Sequence, residues 1–490
     1  MATIPDLFLS TVNRYKDKTA VVDGERRVTY GTLDLMVRSL SSFLISRGIG
    51  HGDKVAILLP NLLEFITSFF SVASLGAVTL PLNVAYKAEE IRFYVSDSRV
   101  KLLITEESLK SIAEKGTDGL GISIIVVRGD KKDWSYLDSN KHPYIKVLIQ
   151  PSDDALYLYS TGSTGRPKRV ARTHYNITSL ADNHTETVGL TENDRVLFTV
   201  PLAHTYGFGN FISAVKVGAS IYVLEGFNRN KVADLIERES ITIFPAVPFM
   251  LNVMAVTYSS KPRDFSSLKL VISAGAPLSR QSFFKFHERF GVYPRQLYGS
   301  TETGVISINL SQDIENNFDS VGLPVKNVEV KIFREDGNEA TINEVGEIAV
   351  KSPSMTTGYY GLEEQTKRVF KNGFYFTEDL GKIDEGGCIY ILSRKKLFIN
   401  VAGNKVDPTE VENFLLTHPK IKEVVVLGAK DQYGNELVKA VIVPKEDMDS
   451  KEIYAYCKDH VADFKTPRMV EFRKEIPKSP TGKVLREYLK

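Results

Sequence analysis

Short apolar runs of strand length alternate with longer segments of helical spacing along most of this chain, and that alternation commits it to an α/β sheet architecture. Lys54 to Leu59, Leu102 to Ile104 and Ile122 to Val127 have the continuous apolar character of strands buried on both faces. Between them, Thr32 to Arg47 and Leu62 to Leu75 repeat their apolar residues at helical intervals. The pattern returns in Ser220 to Leu224, the helical segment Lys231 to Glu239, Thr242 to Phe244 and Leu270 to Ile272. Two doubly wound layers over about the first 320 residues are therefore expected. From Glu329 to Val350 the strands shorten and turns such as Glu335-Asp336-Gly337-Asn338 separate them, which predicts a small antiparallel β subdomain. After Ser393-Arg394-Lys395-Lys396 a separate βαβ-like pattern begins. The expected domains are thus residues 1–393 and a small α+β unit of residues 394–490.

At 490 residues, with 43% hydrophobic and 25% charged, the chain can bury a large core, and wholesale disorder is excluded. The 62 basic and 60 acidic residues leave a net charge of +2, too small a field for nucleic acid or an anionic membrane to be the main partner. Two cysteines, Cys388 and Cys457, build neither a disulfide framework nor a Cys-rich zinc site, and their scarcity fits the cytoplasm. The first eighteen residues lack the basic-then-apolar order of a signal peptide. The longest uncharged stretch, Phe65 to Tyr86, is interrupted by serines, Gly76, Pro81 and Asn83, so a buried helix followed by a strand at Ala77 to Leu80 is expected and no integral membrane segment.

The strongest local signal is the apolar strand Ala155 to Tyr159 running into Ser160-Thr161-Gly162-Ser163-Thr164-Gly165-Arg166-Pro167-Lys168. Small residues let the backbone approach a ligand, and hydroxyls plus a terminal cation suit phosphate oxygens. It is not the nucleotide loop of ordinary P-loop ATPases, because Gly162 and Gly165 are too close together and no Ser or Thr follows Lys168. A second signal, Tyr298-Gly299-Ser300-Thr301-Glu302-Thr303-Gly304, offers an aromatic ring for a base and a carboxylate for a hard cation. In a third, Asp379 within Tyr375 to Gly381 can accept from ribose hydroxyls, with Arg394 supplying fixed donors. A fourth, Pro477 to Lys483, is a Pro/Gly turn presenting Lys483.

Together and in this order, these motifs resemble the adenylate-forming superfamily of acyl-CoA synthetases, luciferases and nonribosomal-peptide adenylation domains. The likeness spans the chain from Thr29-Tyr30-Gly31-Thr32-Leu33 to Lys483. It implies an ATP- and Mg2+-dependent activation of a carboxylic acid to acyl-AMP, followed by transfer to CoA. By that resemblance Ser160 to Lys168 hold the β- and γ-phosphates, Thr301 lies near the α-phosphate and Glu302 binds magnesium. Gly275, Ala276, Pro277 and Tyr298 flank adenine, while Asp379 and Arg394 bind ribose. Lys483 bridges carboxylate and α-phosphate, Lys396 is the hinge of a mobile C-terminal domain, and Gly403 leaves room for pantetheine. Three positions depart from the family's usual glycines: Arg169 after the loop lysine, Glu378 before Asp379, and Ser393 before Arg394.

The stretch Pro201 to Gly209 lacks the carboxylate with which amino-acid-activating relatives hold an ammonium group, and His204 resembles the pocket histidine near the reacting carboxylate. Gly299 stands where acetate-specific relatives carry a bulky tryptophan, implying a deeper pocket. Phe208, Val247, Phe249, Ala274, Gly299, Gly304 and Val305 are its expected lining. A medium- or long-chain fatty acid is favoured over an aryl acid. The alternatives are loading of a carrier-protein phosphopantetheine arm and a nucleotide-binding protein without catalysis.

Overall fold

The computed structural model describes residues 2–489 except 131, 135–145, 162–166, 257–262, 395–398, 402, 403, 407, 432–435, 459, 462 and 480–483. By compactness the chain forms two units, one comprising Met1–Val330 with Val350–Tyr375 and the other Lys331–Ala349 with Phe376–Lys490.

The first unit contains two large sheets. In the nine-stranded sheet, Pro294–Ser300, Leu270–Ser273, Ile243–Ala246, Arg195–Phe198, Ser220–Val223 and Thr19–Asp23 lie side by side and parallel, with antiparallel strands at both edges. The six-stranded sheet has the order Ser123–Arg128, Leu102–Glu106, Lys54–Leu58, Val78–Pro81, Asp154–Thr161, Pro167–Thr173; only the last pairing is antiparallel. Helices Leu63–Ser74 and His174–Val188 touch strands of both sheets, which makes them the shared layer. Leu63–Ser74 is buried over nearly its whole length, with Phe70 stacked on Phe8 at 4.3 Å and Phe69 meeting Phe208 edge-on at 5.0 Å. The Thr67 and Ser71 hydroxyls donate to the Leu63 and Thr67 carbonyls of the same helix, so the segment is buried all round despite its polar residues, as expected for a core helix rather than a membrane span. No helix among the described residues is long and apolar enough to cross a membrane.

The parallel strands end at a common edge, so the loops that follow them collect there, the usual place for ligand sites in open α/β sheets. Helix boundaries follow capping chemistry. Tyr30–Ser46 starts two residues before the apolar periodicity because the Thr29 side chain accepts from the Thr32 N–H, and Arg229–Glu239 starts behind Asn228, which accepts from Asn230 and Lys231.

In the second unit, Ile421–Lys430 and Glu436–Pro444 form a long antiparallel pair joined in parallel by Met469–Phe472. Helices Pro408–Leu415 and Ser450–Lys458 cover it, burying Val411, Leu415, Val426, Ile442, Ile453 and Cys457 in one core. This is the α+β character expected of the C-terminal region. Lys396 and Gly403 lie outside the described residues.

Candidate active site

The phosphate-motif strand Asp154–Thr161 pairs antiparallel with Pro167–Thr173, placing Ser160 opposite Lys168 and Thr161 opposite Pro167. The two described ends of the motif are therefore paired strand ends at the edge of the six-stranded sheet. Gly162, Ser163, Thr164 and Gly165 lie outside the described residues. Lys168 has only 5% of its surface exposed, and its ammonium sits 4.6 Å from the centre of the Tyr359 ring. The ring face is negative and the cation is largely desolvated, so the contact holds the lysine's direction.

Arg169, the first departure from the family's glycine, points away from Lys168 in strand alternation. Its guanidinium lies 3.6 Å from the Tyr360 ring centre and 5.1 Å from that of Tyr157, and Nη1 donates to the Asp97 carbonyl at 2.8 Å. Arginine here fastens the strand pair to the end of helix Ala88–Asp97.

The second motif is a hairpin turn. Strands Pro294–Ser300 and Gly304–Ile308 bring Ser300 opposite Gly304, leaving Thr301, Glu302 and Thr303 as the loop. Gly304 has φ +78°, the left-handed conformation that closes a three-residue hairpin, and an added Cβ would strike Leu180 Cδ1 at 2.5 Å. Within the loop, Ser300 Oγ accepts from the Thr303 N–H at 3.1 Å, and the Thr303 carbonyl accepts from Ser354 Oγ at 2.7 Å. Glu302 is 5% exposed, and its Oε1 accepts from the Tyr359 hydroxyl at 2.8 Å. Tyr359 thereby joins the two motifs, carrying Lys168 on its ring and Glu302 on its hydroxyl. Tyr375 is buried beside them, and burial with the Glu302 charge pushes its phenol well above the usual range, keeping it neutral.

Behind the loop lies a residue that the sequence motifs do not disclose. Arg172, on strand Pro167–Thr173, is 2% exposed, and its Nη1 donates to the Thr301 carbonyl at 2.9 Å. Burial lowers its guanidinium to about 10, opposed by the charge of Glu302; it stays protonated at neutral pH. Arg172 closes the basic run Arg166 to Arg172 and Tyr359 lies between Gly358 and Gly361, but nothing in the sequence separates the first from a solvated cation or the second from a turn residue.

His204 is the N-cap of helix Thr205–Val217, its Nδ1 facing the Tyr206 N–H at 3.4 Å, and its ring is exposed. The next residue brings it to the loop, since Thr205 Oγ1 lies 3.4 Å from Thr301 Oγ1. Gly275, Ala276 and Pro277 are exposed directly after strand Leu270–Ser273, and Tyr298 is half-buried before the loop. Of the expected lining, Ala274, Val247, Gly304 and Val305 are buried, and Gly299 is exposed. Phe208 packs among the core rings of Phe69 and Phe211, and Phe249 is 55% exposed with its ring 6.4 Å from Phe227.

In the second unit, Asp379 lies opposite Arg394 in the pairing of Phe374–Ile383 with Ile389–Arg394. Asp379 is buried and its N–H donates to Thr377 Oγ1 at 3.1 Å. Glu378 has φ +62°, a left-handed conformation costly for any side chain. The family's glycine at this point thus has a conformational reason, and Glu378 occupies it under strain. Glu378→Gly is expected to stabilise this unit by about 0.5–1 kcal/mol, the strain relieved less the extra freedom of the unfolded glycine. Denaturant unfolding monitored against unchanged adenylation checks this. Lys483 lies outside the described residues, flanked by an antiparallel bridge between Lys478 and Val484.

Comparison with known proteins places this geometry in context. The AMP-binding enzyme family matches residues 8–360, and its C-terminal domain matches residues 410–483. An oxalate–CoA ligase of Arabidopsis thaliana is 31% identical over 99% of this chain and 97% of its own length. A long-chain-fatty-acid–CoA ligase of Bacillus subtilis is 30% identical over 99% of this chain and 94% of its own. Among solved structures, ATP-bound MatB from Rhodopseudomonas palustris superposes with a TM-score of 0.91 at 26% identity, covering 100% of this chain and 98% of that one.

Proposed function

Because the chain belongs to the AMP-binding enzyme family, we propose that it is an acid–thiol ligase that adenylates a carboxylic acid with ATP and passes the acyl group to CoA. The observation that carries this reading is the Lys168–Tyr359–Glu302 connection, which sets a cation and a carboxylate in fixed relation beside Thr301.

A carboxylate is a weak nucleophile toward a polyanion, so the site must align attack on the α-phosphate and offset the charge of departing pyrophosphate. Ser160, Thr161, Gly162, Ser163, Thr164, Gly165 and Lys168 take the β- and γ-phosphates, and Thr301 takes the α-phosphate. Lys483 aligns carboxylate and α-phosphate, with His204 beside the acid. Gly275, Ala276, Pro277 and Tyr298 hold adenine; Asp379 and Arg394 hold ribose. Buried Glu302, fixed by Tyr359, is a hard oxygen donor that fits Mg2+, whose remaining ligands would be phosphate oxygens and water. Magnesium there would supply positive charge to the phosphates.

The carboxylate oxygen bonds to the α-phosphorus as pyrophosphate leaves. In the second step a thiolate attacks the acyl carbon and AMP departs. A C-terminal domain beginning after residue 393 and turning at Lys396 replaces Lys483 with the side bearing Gly403, which admits the pantetheine arm. Phe208, Val247, Phe249, Ala274, Gly299, Gly304 and Val305 line the acyl site, and a medium- or long-chain fatty acid is favoured, with an aryl acid second. The named relatives act on oxalate and on long-chain fatty acids, so both belong in the test.

Mass spectrometry of ATP, Mg2+ and a panel of fatty, aryl and dicarboxylic acids, with and without CoA, tests the reading. Acyl-CoA from one class supports it and names the substrate. Acyl-AMP that accumulates regardless of CoA moves the acceptor to a carrier-protein phosphopantetheine, and no pyrophosphate release with any acid sinks the ligase reading.

A further inference from the structure

A cation removed entirely from water is costly unless something in its surroundings uses the charge. Arg172 has that cost on three counts. It is 2% exposed, its Nε and Nη2 are enclosed without a hydrogen-bond acceptor among the described residues, and its one hydrogen bond is to a neutral carbonyl, that of Thr301. Nη2 lies against Gly304, 3.3 Å from where a Cβ on that glycine would stand. The guanidinium thus lies under the whole Thr301–Gly304 turn. The negative charge that acts on it belongs to Glu302, with which it forms no contact ion pair. The carboxylate's own hydrogen bond comes from Tyr359, whose backbone bridges Val170, and not from Arg172. Leucine or methionine would fill the same space at less cost, so packing does not account for arginine here.

We infer that Arg172 is a positioning residue that gives the Thr301–Glu302 turn a built-in positive charge, offsetting Glu302 and holding nucleotide phosphate there even without a divalent cation. The inference rests on the reading of Thr301 and Glu302 as nucleotide-binding. The buried Arg172 charge opposes that of Glu302, so approaching phosphates do not meet the bare Glu302 carboxylate. The fixed charge also acts with more force on free ATP than on its magnesium complex, which carries half the negative charge.

ATP binding measured by calorimetry, in EDTA and in saturating Mg2+, tests this. Arg172→Met is expected to weaken binding about 100-fold in EDTA and about 10-fold in Mg2+, the larger loss falling on the more negative ligand. Arg172→Lys, which keeps the charge and loses the fork, should bind metal-free ATP within about threefold of wild type. Glu302→Gln, nearly isosteric and still able to accept from Tyr359, should bind metal-free ATP more tightly than wild type because the Arg172 charge is no longer offset. That variant decides the matter if Arg172→Met does not fold. Equal losses in both buffers, or weaker metal-free binding by Glu302→Gln, would overturn the charge role. Failure of the wild type to bind ATP in either buffer would remove the nucleotide reading itself, and this inference with it.

Discussion

Lys483→Ala is expected to lower acyl-AMP formation by about 100- to 1,000-fold while leaving thioester formation from supplied acyl-AMP within a few fold of wild type. The asymmetry follows from where charge develops. In adenylation, a carboxylate approaches a phosphate that already carries negative charge, and a point cation touching both is worth most at the moment of attack. In the second step the acyl carbon is attacked and AMP leaves, with no new bond to phosphorus, so the lysine has no comparable charge to stabilise. Pyrophosphate release with ATP and the best acid reads the first step. CoA consumption with synthetic acyl-AMP reads the second. Equal loss in both would show that the variant damages the C-terminal domain as a whole, and the assigned role would fail.

The fold was legible because its signals are periodic and local. A run such as Ile122 to Val127 needs no partner to declare itself a strand, and Ser123–Arg128 is one. The phosphate and Thr-Glu motifs were legible because close approach to phosphate demands small residues in sequence, not merely in space. Arg172 and Tyr359 were not, since each acquires its meaning from a residue far along the chain: Thr301 for one, Glu302 and Lys168 for the other. Arg169 shows the same limit from the opposite side. Its departure from glycine was visible, but the Asp97 carbonyl and Tyr360 ring that give it a place are supplied by tertiary contact. At Glu378 the sequence showed the substitution and the backbone supplied its cost, φ +62°. Helix starts shifted wherever a cap lay outside the apolar pattern, as at Thr29 and Asn228.

Gly299→Ala should be nearly as damaging as Gly299→Trp, each lowering adenylation of every acid by about 100-fold. A tryptophan at this position would ordinarily be expected to shorten the acyl site and redirect the enzyme toward acetate, with alanine close to neutral. The local geometry argues otherwise. A Cβ on Gly299 would lie 2.4 Å from the Gly304 carbonyl oxygen, a backbone atom, so the first carbon of any side chain already forces the turn to move. Gly304 has little room to give way, because its Cα faces Leu180 and the Arg172 guanidinium and its φ of +78° closes the hairpin. The displacement therefore passes into Thr301 and Glu302, which sit between the two glycines and carry the proposed nucleotide contacts. Misplacing reacting groups by about 1 Å is enough for losses of this size. Initial rates of pyrophosphate release across acids from acetate to long chains, on variants shown to be folded by circular dichroism, separate the two accounts. A uniform loss in both variants marks Gly299 as the spacer of the Thr301–Glu302 turn. An alanine variant with near-normal rates, together with a tryptophan variant that gains acetate activity, would leave Gly299 only its place in the acyl lining and show that the turn yields where this packing says it cannot.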